Sequence, residues 1–205
     1  MSWLGFGKSD KKEAEQKAAA DKQQVLAQEE AQKLEQEKLC SFPSELKAYI
    51  DTFCPKESVE YQGVGHPIVL HGSSELSWKM VGYNVEPETN NQISAWHDDW
   101  FLIAHDGGEP IIVKLDEHNE TSVVYSAMQG ATGWEFFPIA DSIGQFIVCA
   151  VALERAMNFP GLEESLDDNF NLLGEAASWL FPFLRHYAGS YYEEWASVFE
   201  NFEDY

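Results

Sequence analysis

Two histidine–carboxylate groups carry the residue types most suited to chemistry: His97-Asp98-Asp99 and His105-Asp106, with His66 and His71 upstream. Imidazole and carboxylate ligate divalent metals and serve as general acids and bases. Their spacing argues against a shared ion. The two groups bracket the apolar run Trp100-Phe101-Leu102-Ile103-Ala104, which reads as a strand, so at about 3.3 Å per residue they lie over ~15 Å apart. His66 and His71 are separated in the same way and sit beside turn residues. The chain holds no GxSxG, GxxxxGK[ST] or HExxH, and Gly63-Val64-Gly65-His66 is too short a glycine pattern for a nucleotide site. Glu163-Glu164 and Asp167-Asp168 read as solvated helix faces. Cys40, Cys54 and Cys149 are odd in number and lack CxxC spacing. They read as reduced thiols, with Cys149 on a buried helical face, rather than a disulfide or zinc framework. Asn119-Glu120-Thr121 matches a glycosylation sequon, but without a secretory signal it reads as chance. No catalytic residue, metal ligand or cofactor is expected.

The elements around these residues are legible from pattern. Between 96 and 146, five- to six-residue apolar runs rich in β-branched and aromatic types alternate with glycine or charge, as strands do. Gly107-Gly108 supplies the positive φ of a tight hairpin. Upstream, Pro67-Ile68-Val69-Leu70 and Trp78-Lys79-Met80-Val81 would be the first strands of the same sheet. Asp141 or Ser142 caps a helix whose Ile143, Phe146, Ile147, Ala150, Leu153 and Met157 fall on one face. Leu46, Tyr49, Ile50 and Phe53 stripe a short helix that Pro55 ends. Helices are also expected over 162–173 and 175–186, with Pro182 kinking or breaking the second. Ser190 and Glu193 then read as a capping box before a stripe of Tyr192, Trp195, Ala196, Phe199 and Phe202.

In Trp96, Phe101-Leu102-Ile103-Ala104, Asp106-Gly107-Gly108-Glu109-Pro110, Val124-Tyr125, Gly130, Trp134 and the run from Ile139 to Phe146, the chain resembles the SUKH superfamily. The resemblance covers about residues 40–155 and includes Phe42 to Ile50 and Leu76 to Tyr83. It rests on the order and spacing of several short motifs. It implies an α+β fold, an antiparallel meander sheet packed by helices. For many bacterial members it further implies immunity proteins that neutralise toxins; others are regulatory or uncharacterised. The expected organisation is a charged helical leader or partly disordered arm over 1–39, a SUKH-like α+β domain over 40–157, and a helical C-terminal extension packed on it over 158–205.

Charge narrows the partner. Residues 1–38 hold seven lysines and eight acids, whereas the remaining 167 residues hold six basic and 27 acidic groups, a balance of −21. Such a body repels nucleic acid and anionic membranes, and attracts a basic protein. The longest apolar run is far short of the roughly twenty residues needed to cross a bilayer, so a cytoplasmic protein is expected. The resulting expectation is a non-catalytic, bacterial immunity protein that occludes a basic toxin domain stoichiometrically. Trp96 and Trp134 would be aromatic anchors, with Asp98, Asp99, Asp106, Glu109 and Glu135 supplying charge. The alternative is an intracellular regulatory or scaffolding module with a neutral partner, bound through the C-terminal stripe or the N-terminal arm. The sequence leaves the oligomeric state open.

Overall fold

A computed structural model describes residues 42–76, 83, 88–89, 91, 96–117, 119–131 and 133–205. The arm expected over 1–39, Cys40 and the run from Trp78 to Val81 lie outside the described residues. Residues 43–205 form one compact unit. Its centre is a sheet of six strands: β1 (Val59–Tyr61), β2 (Ile68–Leu70), β3 (Trp100–Asp106), β4 (Glu109–Lys114), β5 (Val124–Gly130) and β6 (Gly133–Ala140). Every strand pairs antiparallel with its sequence neighbour, so the sheet is a meander.

The β3–β4 hairpin closes as its glycines predict. Asp106 faces Glu109 across Gly107 and Gly108, whose φ angles are 55° and 105°. Gly107 also has a packing reason: a Cβ there would lie 2.8 Å from the His66 ring. A register shift between Leu102 and Ala104 makes Ile103 the extra residue of a bulge.

The pairing sorts side chains onto two faces. One face carries Leu70, Ala104, Ile111, Val113 and Val124, all nearly or fully buried. The helix α2 (Ile143–Met157) packs on this layer, touching β1 and β6. Ser142 is its cap: the hydroxyl accepts from the Gln145 amide at 3.0 Å, while the Gln145 side chain accepts from the Asp141 amide. Its buried stripe contains Ile143, Phe146, Cys149, Ala150 and Leu153. Burial pushes the Cys149 thiol up to about 12. Helix α3 (Gly174–Tyr187) packs on α2, and the short α4 (Tyr192–Ala196) packs on α3. Phe146, Phe181 and Phe199 are fully buried between these layers, each worth roughly 1.5–3 kcal/mol of apolar burial. Helix α1 (Ser44–Ala48) is tied in by Glu45, whose carboxylate accepts from the Ser122 and Gly144 amides.

Four local expectations are corrected. The stripe of α1 does not reach Phe53, which is 73% exposed. The chain passes into a π turn over Tyr49–Phe53, closed by the Cys54 amide on the Tyr49 carbonyl, and the wider turn rotates Phe53 outward. Residues 162–173 are not helical. Asp167 takes the amides of Asn169 and Asn171, and an isolated bridge pairs Leu166 with Leu172. These local side-chain bonds offer the backbone an alternative to the helical ladder. Pro182 does not break its helix: α3 runs through it on an exposed face. Ser190 is not a cap, since a 3-10 turn over Gly189–Tyr191 leads directly into α4, whose N-cap is Tyr191. The stripe that follows is covered: Trp195, Ala196 and Phe199 are buried.

Candidate functional site: an acidic strip at the hairpin end of the sheet

Strand parity decides where the expected contact residues go. Asp106 pairs with Glu109, and Met128 pairs with Glu135. Ile111 lies opposite Ser126, so two residues further along Glu109 and Met128 stand on the same face. Asp106, Glu109, Met128 and Glu135 therefore share one face at one end of the sheet, the end bearing the Gly107-Gly108 turn. Glu109 and Glu135 are exposed, and Met128 is 57% exposed. Three carboxylates thus frame an apolar, adaptable side chain.

The carboxylates are not equivalent. Asp106 is half-exposed and holds the His66 imidazole at 2.6 Å, so part of its charge is answered locally. Burial raises its pKa, an effect that His66 and His105 oppose. Glu135 packs beside Gly130, where an added Cβ would lie 2.5 Å from its carboxylate oxygen. Among the described residues, three cations are engaged with other groups. Lys47 bonds Asp51 at 2.9 Å, Arg185 lies 4.2 Å over the Tyr192 ring, and Lys114 lies 3.8 Å over Tyr125 and 3.7 Å from Glu117.

Trp134 occupies the same end but the opposite face, since it precedes Glu135 in β6 and pairs with Gln129. It is half-buried, its ring 6.4 Å from Tyr83, whose hydroxyl donates to the Gly108 carbonyl at 2.9 Å. These rings belong to a cluster built on Trp96, Leu102 and Ile112, against which Trp100, Tyr125, Trp134 and Phe136 also pack. Trp96 is only 5% exposed. Its indole donates to the Trp100 carbonyl at 3.3 Å and meets the Trp100 ring edge-on at 5.5 Å. The Trp96 ring therefore packs in the core.

Asp98 and Asp99 stand apart from the strip. They precede Trp100 at the far end of β3, about 20 Å from Asp106 at the usual rise per residue. Asp99 faces its neighbour His97 at 3.3 Å. The histidines assemble in a way their sequence positions concealed. β2 lies beside β3, with Leu70 opposite Ala104, and this brings His71 Nε2 to 3.3 Å from His105 Nδ1. His71 is buried, and its Nδ1 lies 3.6 Å from Glu75. Burial, then the neighbouring His105, lowers its pKa. Among the described residues no group of three or more His, Cys, Asp or Glu is placed to hold a metal ion. Among the same residues no helix is long and apolar enough to cross a membrane.

Sequence reasoning missed Met128 and the His71–His105 pair. For Met128 the signal was available in the alternation of β5, where Ser126 and Met128 share a face. For the pair it required the β2–β3 register.

No curated protein and no solved structure matches the chain. The model of the SMI1 / KNR4 family (SUKH-1) matches residues 26–148, more than half of the chain, and that span contains the whole sheet and the strip. With the α+β meander and its packing helices, this match places the chain in the SMI1 / KNR4 family (SUKH-1), to which it belongs.

Proposed function

We propose that this chain is a bacterial immunity protein that neutralises a cationic toxin domain by stoichiometric, non-catalytic binding in the cytoplasm. The observation that carries the proposal is the grouping of Asp106, Glu109 and Glu135 on one sheet face around the exposed Met128. A cationic partner docked there would meet converging carboxylates at its rim and an apolar contact at its centre, the composition of an interface with a desolvated middle. Trp134, on the opposite face at the same end, would touch a partner only where it reaches around the hairpin tips. Asp98 and Asp99 add to the long-range field, which speeds encounter without requiring contact. The family membership supports the reading, because the resemblance implies toxin immunity for many bacterial members. The balance of −21 over the body supports the sign of the partner and disfavours nucleic acid.

The test uses the C-terminal domain of the protein encoded by the gene adjoining this one, as an inactive variant. Titration at rising salt should give a one-to-one complex whose association rate falls as ionic strength rises. A complex indifferent to salt would remove the acidic strip as the docking face. A neutral partner instead of a cationic one would favour a regulatory or scaffolding role.

A further inference from the structure

Phe170 is the only non-glycine residue among the described residues with positive φ, at +60°. In that region an L residue sets its Cβ against its own backbone, and for a bulky aromatic the conformation is a genuine outlier. Here it is held from several directions. Asp167 Oδ1 accepts from the amides of Asn169 and Asn171, both at 2.9 Å, and Oδ2 accepts from the Asn171 side chain at 2.9 Å. The Phe170 amide donates to the Asp167 carbonyl at 3.1 Å, and its own carbonyl accepts from the Glu200 amide at 3.2 Å. Asn201 then brackets Leu172, accepting from its amide and donating to its carbonyl, each at 3.0 Å.

A turn so fixed would accept glycine or asparagine without strain. The chain places a phenylalanine there, and its side chain does not enter the core: Phe170 is 54% exposed. Strain held by surrounding structure around an exposed ring is the pattern of a functional contact.

The surroundings specify the partner. From residue 156 to the end the chain holds one arginine and one histidine against ten carboxylates, and the arginine lies over Tyr192. A second copy would bring the same charge to the contact, and an anionic membrane would be repelled. A cationic protein surface with an apolar pocket is the complementary occupant. We propose that Phe170 is a preset aromatic finger that inserts into such a pocket on the cationic toxin. The C-terminal extension then makes a second docking contact, outside the span that the family model matches. The proposal rests on the reading of the partner as a toxin. A ring already held in its bound conformation loses little freedom on docking, which is how one exposed aromatic becomes an interface hot spot.

The experiment compares the wild-type chain, Phe170→Asn and the strip variant Glu109→Lys/Glu135→Lys, each titrated with the inactive toxin domain encoded by the adjoining gene. Melting temperatures are recorded alongside. Phe170→Asn should melt at or above the wild-type temperature and bind at least tenfold more weakly. An Asn variant that binds as the wild type does, while the strip variant weakens, would remove the finger and leave the toxin reading standing. A fall of several degrees in its melting temperature would make Phe170 a structural residue and overturn the finger. A wild-type chain that does not bind the domain would overturn the toxin reading and the finger together.

Discussion

Trp195 is the most informative residue at which to perturb the union of the C-terminal helices with the sheet. It lies on α4, is 5% exposed, and its indole Nε1–H donates to the Ile139 carbonyl at 2.8 Å. Ile139 is near the end of β6, the last strand of the sheet, so the indole answers a carbonyl at the sheet edge. The same ring packs 5.8 Å from Phe146 of α2, which is fully buried. Trp195→Phe keeps an aromatic but removes the donor. Stranding a buried carbonyl costs about 1–3 kcal/mol, and the smaller ring adds a cavity cost of order 1 kcal/mol. A loss of about 2–3 kcal/mol corresponds to roughly 5–10 °C in melting temperature for a chain of this length. Trp195→Ala should lose about 5 kcal/mol, a large share of the 5–15 kcal/mol typical of a folded domain. Guanidinium unfolding followed by far-ultraviolet circular dichroism and by tryptophan fluorescence should give one coincident transition, with a lower midpoint and an unchanged slope. An unchanged midpoint for Trp195→Phe would refute the role of the hydrogen bond. An early, separate loss of helix signal in Trp195→Ala, with the sheet intact, would refute cooperative union of the extension with the sheet.

Other perturbations test the remaining contacts. Reversing charge on the strip, Glu109→Lys with Glu135→Lys, should slow association with the cationic partner about tenfold at low salt, with the melting temperature changed little; stopped-flow mixing reads the rate. Stability should fall as pH drops through about 6.5. The pKa of folded His71 is lowered, so the unfolded state takes up the proton first, and the effect lies in a window above that of the carboxylates. Urea midpoints between pH 7.5 and 5.5 should show this slope in the wild-type chain and a shallower one in His71→Gln; equal slopes would count against His71 as its source. Gly107→Ala places a Cβ at positive φ and 2.8 Å from the His66 ring. It should cost at least about 1–2 kcal/mol, read by the urea midpoint, and displace His66 from Asp106.

The sequence by itself determined what depends on neighbours along the chain. Gly107-Gly108 dictated the hairpin because both positions need positive φ. Ser142 dictated the start of α2 because a hydroxyl there reaches the Gln145 amide. The alternation of apolar runs dictated strands, and the uneven count of acids and bases fixed the sign of the field. Where the reading failed locally, a short-range competitor had won: Asp167 drew the backbone of 162–173 into a turn, and the π turn rotated Phe53 into solvent. Tertiary structure alone decided which distant residues meet. Whether Asp106, Glu109 and Glu135 gather, while Asp98 and Asp99 stand at the far end of β3, depends on pairing registers, and a one-residue slip would turn each side chain to the other face. The His71–His105 and His66–Asp106 contacts likewise exist because β2 lies beside β3, across a stretch of chain that carries no sign of the pairing. Trp96 shows the same division: its residue type suited both core and contact, and only the closing of Trp100, Leu102 and Ile112 around it assigned it to the core.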